Sequence, residues 1–238
     1  MSIKEALFLT EEAEKTLKEI EEMQERAMSE NLERPLAFKI KYFLDSLNSS
    51  LDYAAYHTFE KYCLELATYK LNETQLSKVK RKIYFPSYKK EDVFIKHVDQ
   101  SFIGLKENHQ EIYDIFKKSQ AFSSESTWLS DFKLLTNQNK HIKLTSSRKM
   151  FDGIIKRADI GNGVILENNV FINSGQPVSV NGEPLDVFNP QSNSFVRDFE
   201  GEFTSYYCLK GSHVPVVTVL NEYLTNIKNI VIEIDNYQ

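Results

Sequence analysis

The chain is expected to be α+β and mainly α, a helical bundle with a small antiparallel β insertion before the C-terminal helix. Glycine (8) and proline (6) are scarce among the 238 residues, which favours long regular elements over a turn-rich all-β design. Apolar residues recur at spacings of three and four in the first and last parts of the chain. Between about Thr145 and Lys210 the period shortens to two and turn residues gather. The expected organisation is a bundle over 1–145, a β-rich insertion over 146–211, and a helix over 212–238 returning to the bundle.

The first helix has two possible starts, a Ser2/Glu5 capping box and Thr10 followed by Glu11 and Glu12. Leu9, Ala13, Leu17, Ile20 and Ala27 mark its apolar face. Pro35 suits the first turn of a second helix. Its stripe runs Leu36, Ile40, Phe43/Leu44, Leu47, Leu51, Ala54/Ala55, Tyr62/Cys63 and Leu66, with no glycine or proline to interrupt it. Ile83-Tyr84-Phe85-Pro86-Ser87 reads as an extended segment laid against the helices. Further helices are expected over Glu91–Phe102, Asn108–Gln120 with Asn108 and Glu111 at capping spacing, and Glu125–Leu135.

In the insertion, Val164–Leu166, Val170–Ile172, Val178–Val180 and Phe203–Cys208 read as strands. Asn181-Gly182 is a hairpin signal, because both central positions of such a turn favour positive φ. Gly161-Asn162-Gly163 and Ser174-Gly175 mark other turns. Val217, Leu220, Leu224, Ile227, Val231 and Ile234 form the stripe of the last helix, although Ile230-Val231-Ile232 would also suit a strand.

Composition excludes several classes. A hydrophobic fraction of 41% and a charged fraction of 26% are those of a folded chain. No apolar run approaches the ~18–20 residues that cross a bilayer, and the N-terminus lacks a secretory pattern, so a cytoplasmic protein without membrane association is expected. Cys63 and Cys208 lie far apart without metal-ligand spacing, leaving two reduced, buried thiols or a disulfide. Residues 1–150 hold 24 basic and 23 acidic side chains, while 151–238 hold 5 and 11. The second part would repel a phosphate backbone. Lys70, Lys78, Lys80, Arg81, Lys82, Lys89 and Lys90 stand against Glu73 alone from Ala67 to Lys90. That stretch is either a solvated connector or a docking patch for nucleic acid or an acidic partner, with Lys78, Lys80, Arg81, Lys82, Lys89 and Lys90 as its binding residues.

Catalytic signals are few. No phosphate-binding glycine loop, dinucleotide fingerprint or nucleophile elbow occurs. No histidine pair has i, i+4 spacing, so no metal or other cofactor is expected. Leu135 to His141 is placed just past a helix end, where the amides could cap the turn and Lys140 and His141 could complement the dipole. Asn137, Asn139, Lys140 and His141 could alternatively form a polar site, with His141 as general acid/base or, with Lys140, as a hydrogen-bond donor toward a phosphate.

Three pieces in this order resemble a family of uncharacterised bacterial proteins, many from mobile elements. Its members carry Asn-Leu-Arg-Ser-Ala-Leu-Asp-His-Leu-Ala-Trp, then Phe-Pro, then Leu-Asn-Asn-x-Asp-Lys-His-Arg. The counterparts are Ser46 to Tyr56, Phe85-Pro86, and Leu135 to Ile142. The family's Arg-x-x-x-x-His is similar to the signature of HEPN domains, helical modules of toxin–antitoxin and phage-defence systems whose catalytic members cleave RNA without metal. The resemblance implies an HEPN-like bundle, but Asn48 occupies the arginine position and Tyr53 the histidine position. A carboxamide carries no charge to steady a phosphorane, and a phenol that ordinarily titrates near ~10 is a poor proton shuttle. The expectation is therefore a non-catalytic helical module that binds a protein partner or its own copy as a homo-oligomer. The rival is a metal-independent RNase or nucleotide-processing enzyme using Lys140 and His141, with RNA as partner.

Overall fold

Ser2 and Glu5 close the start of the first helix reciprocally: the Ser2 amide donates to Glu5 Oε2 at 2.6 Å and the Glu5 amide to Ser2 Oγ at 3.4 Å. Thr10 is no second start, because it is buried inside the helix and its hydroxyl donates to the Leu7 carbonyl at 2.7 Å. The computed structural model describes residues 2–26, 32–123, 127–141, 147–175, 179–180, 182–209 and 213–237. They form a mainly helical protein with a small three-stranded antiparallel sheet. Two compact units divide the chain: one of residues 1–17, 39–144 and 220–238, the other of 18–38 and 145–219.

Among the described residues the α-helices are α1 (Ile3–Glu25), α2 (Glu33–Thr58), α3 (Leu64–Lys70), α4 (Glu73–Lys80), α5 (Glu91–Ser101), α6 (Leu105–Asn108), α7 (Gln110–Lys118), α8 (Trp128–His141) and α9 (Val216–Asn236). A π-helical turn, Phe59–Cys63, joins α2 to α3 without a break. The stripe expected on this long helix is buried from Leu36 to Cys63 except at Tyr62, and Leu66 is half-buried.

In the first unit, Ser50 is fully buried and donates to the Ala6 carbonyl at 2.8 Å, tying α2 to α1. Lys228 of α9 pairs with Glu14 of α1 at 2.9 Å, and Tyr223 meets Phe132 of α8 edge to face. Leu220, Leu224, Ile227, Val231 and Ile234 are buried as their spacing demands, and the β-branched tail is helical. Two helical boundaries differ from the sequence reading. Asn108 ends α6 instead of capping the next helix, and His109 takes the cap position of α7 with no side-chain bond to it. Helix α8 runs to His141, so Asn137 and Asn139 lie inside the helix and not past its end.

The second unit holds β1 (Ser147–Asp159), β2 (Ile165–Ser174), β3 (Ser179–Val180), β4 (Glu183–Pro184) and β5 (Asp198–Leu209), with β1 central in the order β2-β1-β5. The two apolar runs around Glu167 to Asn169 belong to one strand, β2, bent at Asn168 with φ +53°. The Gly161-Asn162-Gly163 turn connects β1 to β2 with positive φ at all three residues. Val180 pairs with Glu183, and Gly182 between them has φ +86°; Asn181 lies outside the described residues. Val178 lies outside them too. Ile155, Ala158, Ile160, Leu185 and Val187 form a small buried cluster, lined by Phe171, Phe199 and Phe203. Elsewhere in this unit the Leu32 amide donates to the buried Tyr207 hydroxyl at 3.0 Å.

Candidate binding cleft

Ser49, Asp52, Tyr53 and Tyr56 recur at helical spacing on α2 and share one face beside its apolar stripe. Opposite them stands the end of α4. That helix starts at a complete capping box, with Asn72 Oδ1 accepting from the Gln75 amide at 2.9 Å and Gln75 Oε1 from the Asn72 amide at 3.1 Å. Lys80 is in its last turn and Arg81 caps it, where cations complement the carbonyl end of the helix. The chain then continues without regular structure through Ile83 and Tyr84.

Ser49, Asp52, Tyr53, Tyr56, Lys80, Arg81, Ile83 and Tyr84 enclose a cleft of 340 Å³. Tyr56, Lys80 and Arg81 also border a second depression of 410 Å³ with Glu73, Leu76 and Ser77. The two hollows share these three side chains, so they form one surface with two cations at its middle. Among the described residues neither Lys80 nor Arg81 has an ion-pair partner. Tyr84 is 58% exposed.

Asp52 joins the cleft to a polar network. Lys133 of α8 donates to Asn48 Oδ1 at 2.8 Å and stands 3.7 Å from Asp52 Oδ1. Asn48 Nδ2 donates to Asp52 Oδ2 at 3.0 Å, and Asp52 Oδ1 accepts the Phe85 amide at 3.2 Å. His57, on the same helix, is held below the ordinary imidazole range by burial first and the Lys61 charge second, so it adds no cation at neutral pH.

Some residues singled out in the sequence meet here and others do not. Tyr53 joins Lys80 and Arg81 in the cleft, and Asn48 lies in the network beneath Asp52. Lys78, Lys82, Lys89 and Lys90 are exposed but do not line it. Asn137 is exposed, whereas Asn139 is buried and donates to the Leu135 carbonyl at 2.9 Å, so the two amides share no face. Lys140 and His141 end α8, and their side chains lie outside the described residues. Tyr56, Tyr84 and Lys133 were not anticipated. The spacing of Ser49, Asp52, Tyr53 and Tyr56 marks a polar-aromatic face that the sequence carries openly.

A second aromatic group surrounds the π-helical turn. Tyr62 packs on His109 with 4.7 Å between ring centroids and donates to the Tyr237 carbonyl at 3.0 Å. Cys63 is buried in the same turn, and burial pushes its thiol up to about 12, which leaves it inert at neutral pH. Among the described residues no three His, Cys, Asp or Glu side chains are grouped to hold a metal ion, and no described helix is long and apolar enough to cross a membrane. Comparison with protein-family models, curated proteins and solved structures returns no match.

Proposed function

We propose that the chain is a non-catalytic, HEPN-like helical binding module of a defence or toxin–antitoxin type system, which holds a single-stranded RNA segment in the Tyr53–Tyr84 cleft. The observation that carries this reading is the meeting on one surface of three tyrosines with two cations that have no ion-pair partner among the described residues. Unstacked bases lie on aromatic rings, while lysine and arginine take the phosphates between them. An acidic protein segment would satisfy Lys80 and Arg81 but would leave the tyrosine faces without a specific role.

The module binds without cutting. A cleaving site needs a base to take the 2′-hydroxyl proton and a cation at the phosphorane. The carboxylate in the cleft, Asp52, is engaged by Asn48, the Phe85 amide and Lys133, while Asn48 at the arginine position is uncharged and Tyr53 at the histidine position offers a stacking surface.

The test is anisotropy of a labelled single-stranded oligoribonucleotide. Lys80→Glu with Arg81→Glu should lower affinity at least ~10-fold and flatten the salt dependence, and Tyr56→Ala should lower it by roughly the ~1–3 kcal/mol of one stacked base. Equal affinity in all variants sinks the reading. Strand cleavage that His141→Ala abolishes in a folded protein would replace it with the nuclease reading. Capture of a protein partner or a second copy through this cleft, without RNA, would replace it with the protein-interaction reading.

A further inference from the structure

The Ile83–Tyr88 segment has no regular secondary structure and pairs with no strand among the described residues. Ile83, Phe85 and Pro86 are buried, whereas Tyr84 between them faces the cleft. Buried backbone groups require partners, and here two side chains supply them. Asp52 takes the Phe85 amide. Gln120 supplies both halves of a peptide-like pairing: its Oε1 accepts the Tyr88 amide at 2.9 Å and its Nε2 donates to the Pro86 carbonyl at 2.9 Å.

Gln120 is itself fixed. It is fully buried, and its Nε2 also reaches the Phe116 carbonyl at 2.8 Å and Ser119 Oγ at 3.1 Å. Those contacts set which end of the amide faces Pro86 and which faces Tyr88. The Phe85 ring packs on Phe116 with centroids 5.0 Å apart, so the segment is clamped both by backbone bonds and by packing. Gln120 does not line the cleft.

We infer that Gln120 is a positioning residue for the cleft, acting through the Ile83–Tyr88 segment to hold Tyr84 where a base would stack. This rests on reading the cleft as an RNA site. A Gln120→Met substitution keeps the volume and removes the side-chain hydrogen bonds. It should speed hydrogen exchange at the Tyr88 amide more than ~10-fold while the amides of α2 keep their protection.

In anisotropy titrations Gln120→Met should weaken RNA binding roughly 5- to 10-fold, and add nothing once Tyr84→Ala is present, since coupled residues are not additive. Unchanged Tyr88 exchange, or equal weakening in both backgrounds, overturns the inference. A folded Tyr84→Ala protein with undiminished affinity overturns the cleft reading instead, and the exchange result then decides the positioning role alone. If Gln120→Met does not fold, Gln120→Leu serves, because it likewise removes the amide while keeping the buried site filled.

Discussion

Lys133 directs its ammonium at the carboxamide oxygen of Asn48, 2.8 Å away, and both side chains then turn to Asp52. The position is thus committed to a neutral, hydrogen-bonding residue. Asn48→Arg would set a second cation against Lys133 in a site where Asn48 is only 9% exposed. We expect a loss of about 2–4 kcal/mol, read as a lower urea midpoint, and no gain of RNA cleavage. A variant as stable as the parent would refute the assignment.

Gly153 is a second position with no freedom. A Cβ there would collide with the Glu202 carbonyl and the Phe203 ring, both on the neighbouring strand β5. Gly153→Ala should cost about 1–3 kcal/mol through forced displacement of the strand. Gly163→Ala meets open space but carries φ +78°, so its smaller cost would come from backbone strain alone. Thermal melts of the two variants separate the cases.

The Leu32 amide depends on a single phenol. Tyr207→Phe removes the acceptor at 3.0 Å and leaves a buried N–H unpaired. The expected loss is roughly 1–3 kcal/mol, with the far-ultraviolet spectrum unchanged because no packing is removed. A neutral result would mean that water reaches Leu32.

Alkaline pH should unfold the protein through its tyrosines. Burial pushes Tyr223 up to about 12, helped by Asp131 and Glu222, and pushes Tyr206 up to about 12, helped by the bond from its hydroxyl to Asp152. Between pH ~10 and ~12 the unfolded chain has lost these protons while the folded chain keeps them. Stability is therefore full below the unfolded value and falls as pH rises through that window. Denaturant midpoints followed from pH 8 to 12 should show the decline, and Tyr223→Phe should lessen it.

Much of this architecture is legible in the residues. The stripe from Leu36 to Ala55 fixes a long helix, because it keeps one unbroken period. Strand β1 does not. It is displaced against β2 between Phe151 and Gly153, and against β5 between Ile155 and Arg157. Each displacement breaks the alternation that marks a strand, so the central strand of the sheet carries the weakest signal. Strand β2 reads as two pieces because Glu167-Asn168-Asn169 has turn composition, yet its bend at Asn168 leaves pairing to β1 intact on both sides.

In the cleft the sequence reading reaches Lys80, Arg81 and Tyr53 as separate features. Their meeting depends on the turn after α4, which periodicity does not encode. Gln120 escaped for a different reason. A glutamine at a helix end resembles any solvated residue until the carbonyl and amide that it serves, 34 and 32 positions earlier, are brought to it.

The π-helical turn at Phe59–Cys63 has a consequence for how this chain tolerates changes in length. Phe59, Cys63 and Ala67 are all fully buried, at intervals of four that would creep around an uninterrupted α-helix by ~40° each time. The wider turn absorbs one surplus residue and resets the phase, so both flanking stripes still face inward. Loss of one residue inside this turn would let an ordinary α-helix form with both stripes in place. The same loss a few positions earlier, inside α2, would rotate everything between it and the turn by ~100°. Variation in length along this helix should therefore be accepted at one point and refused on either side of it.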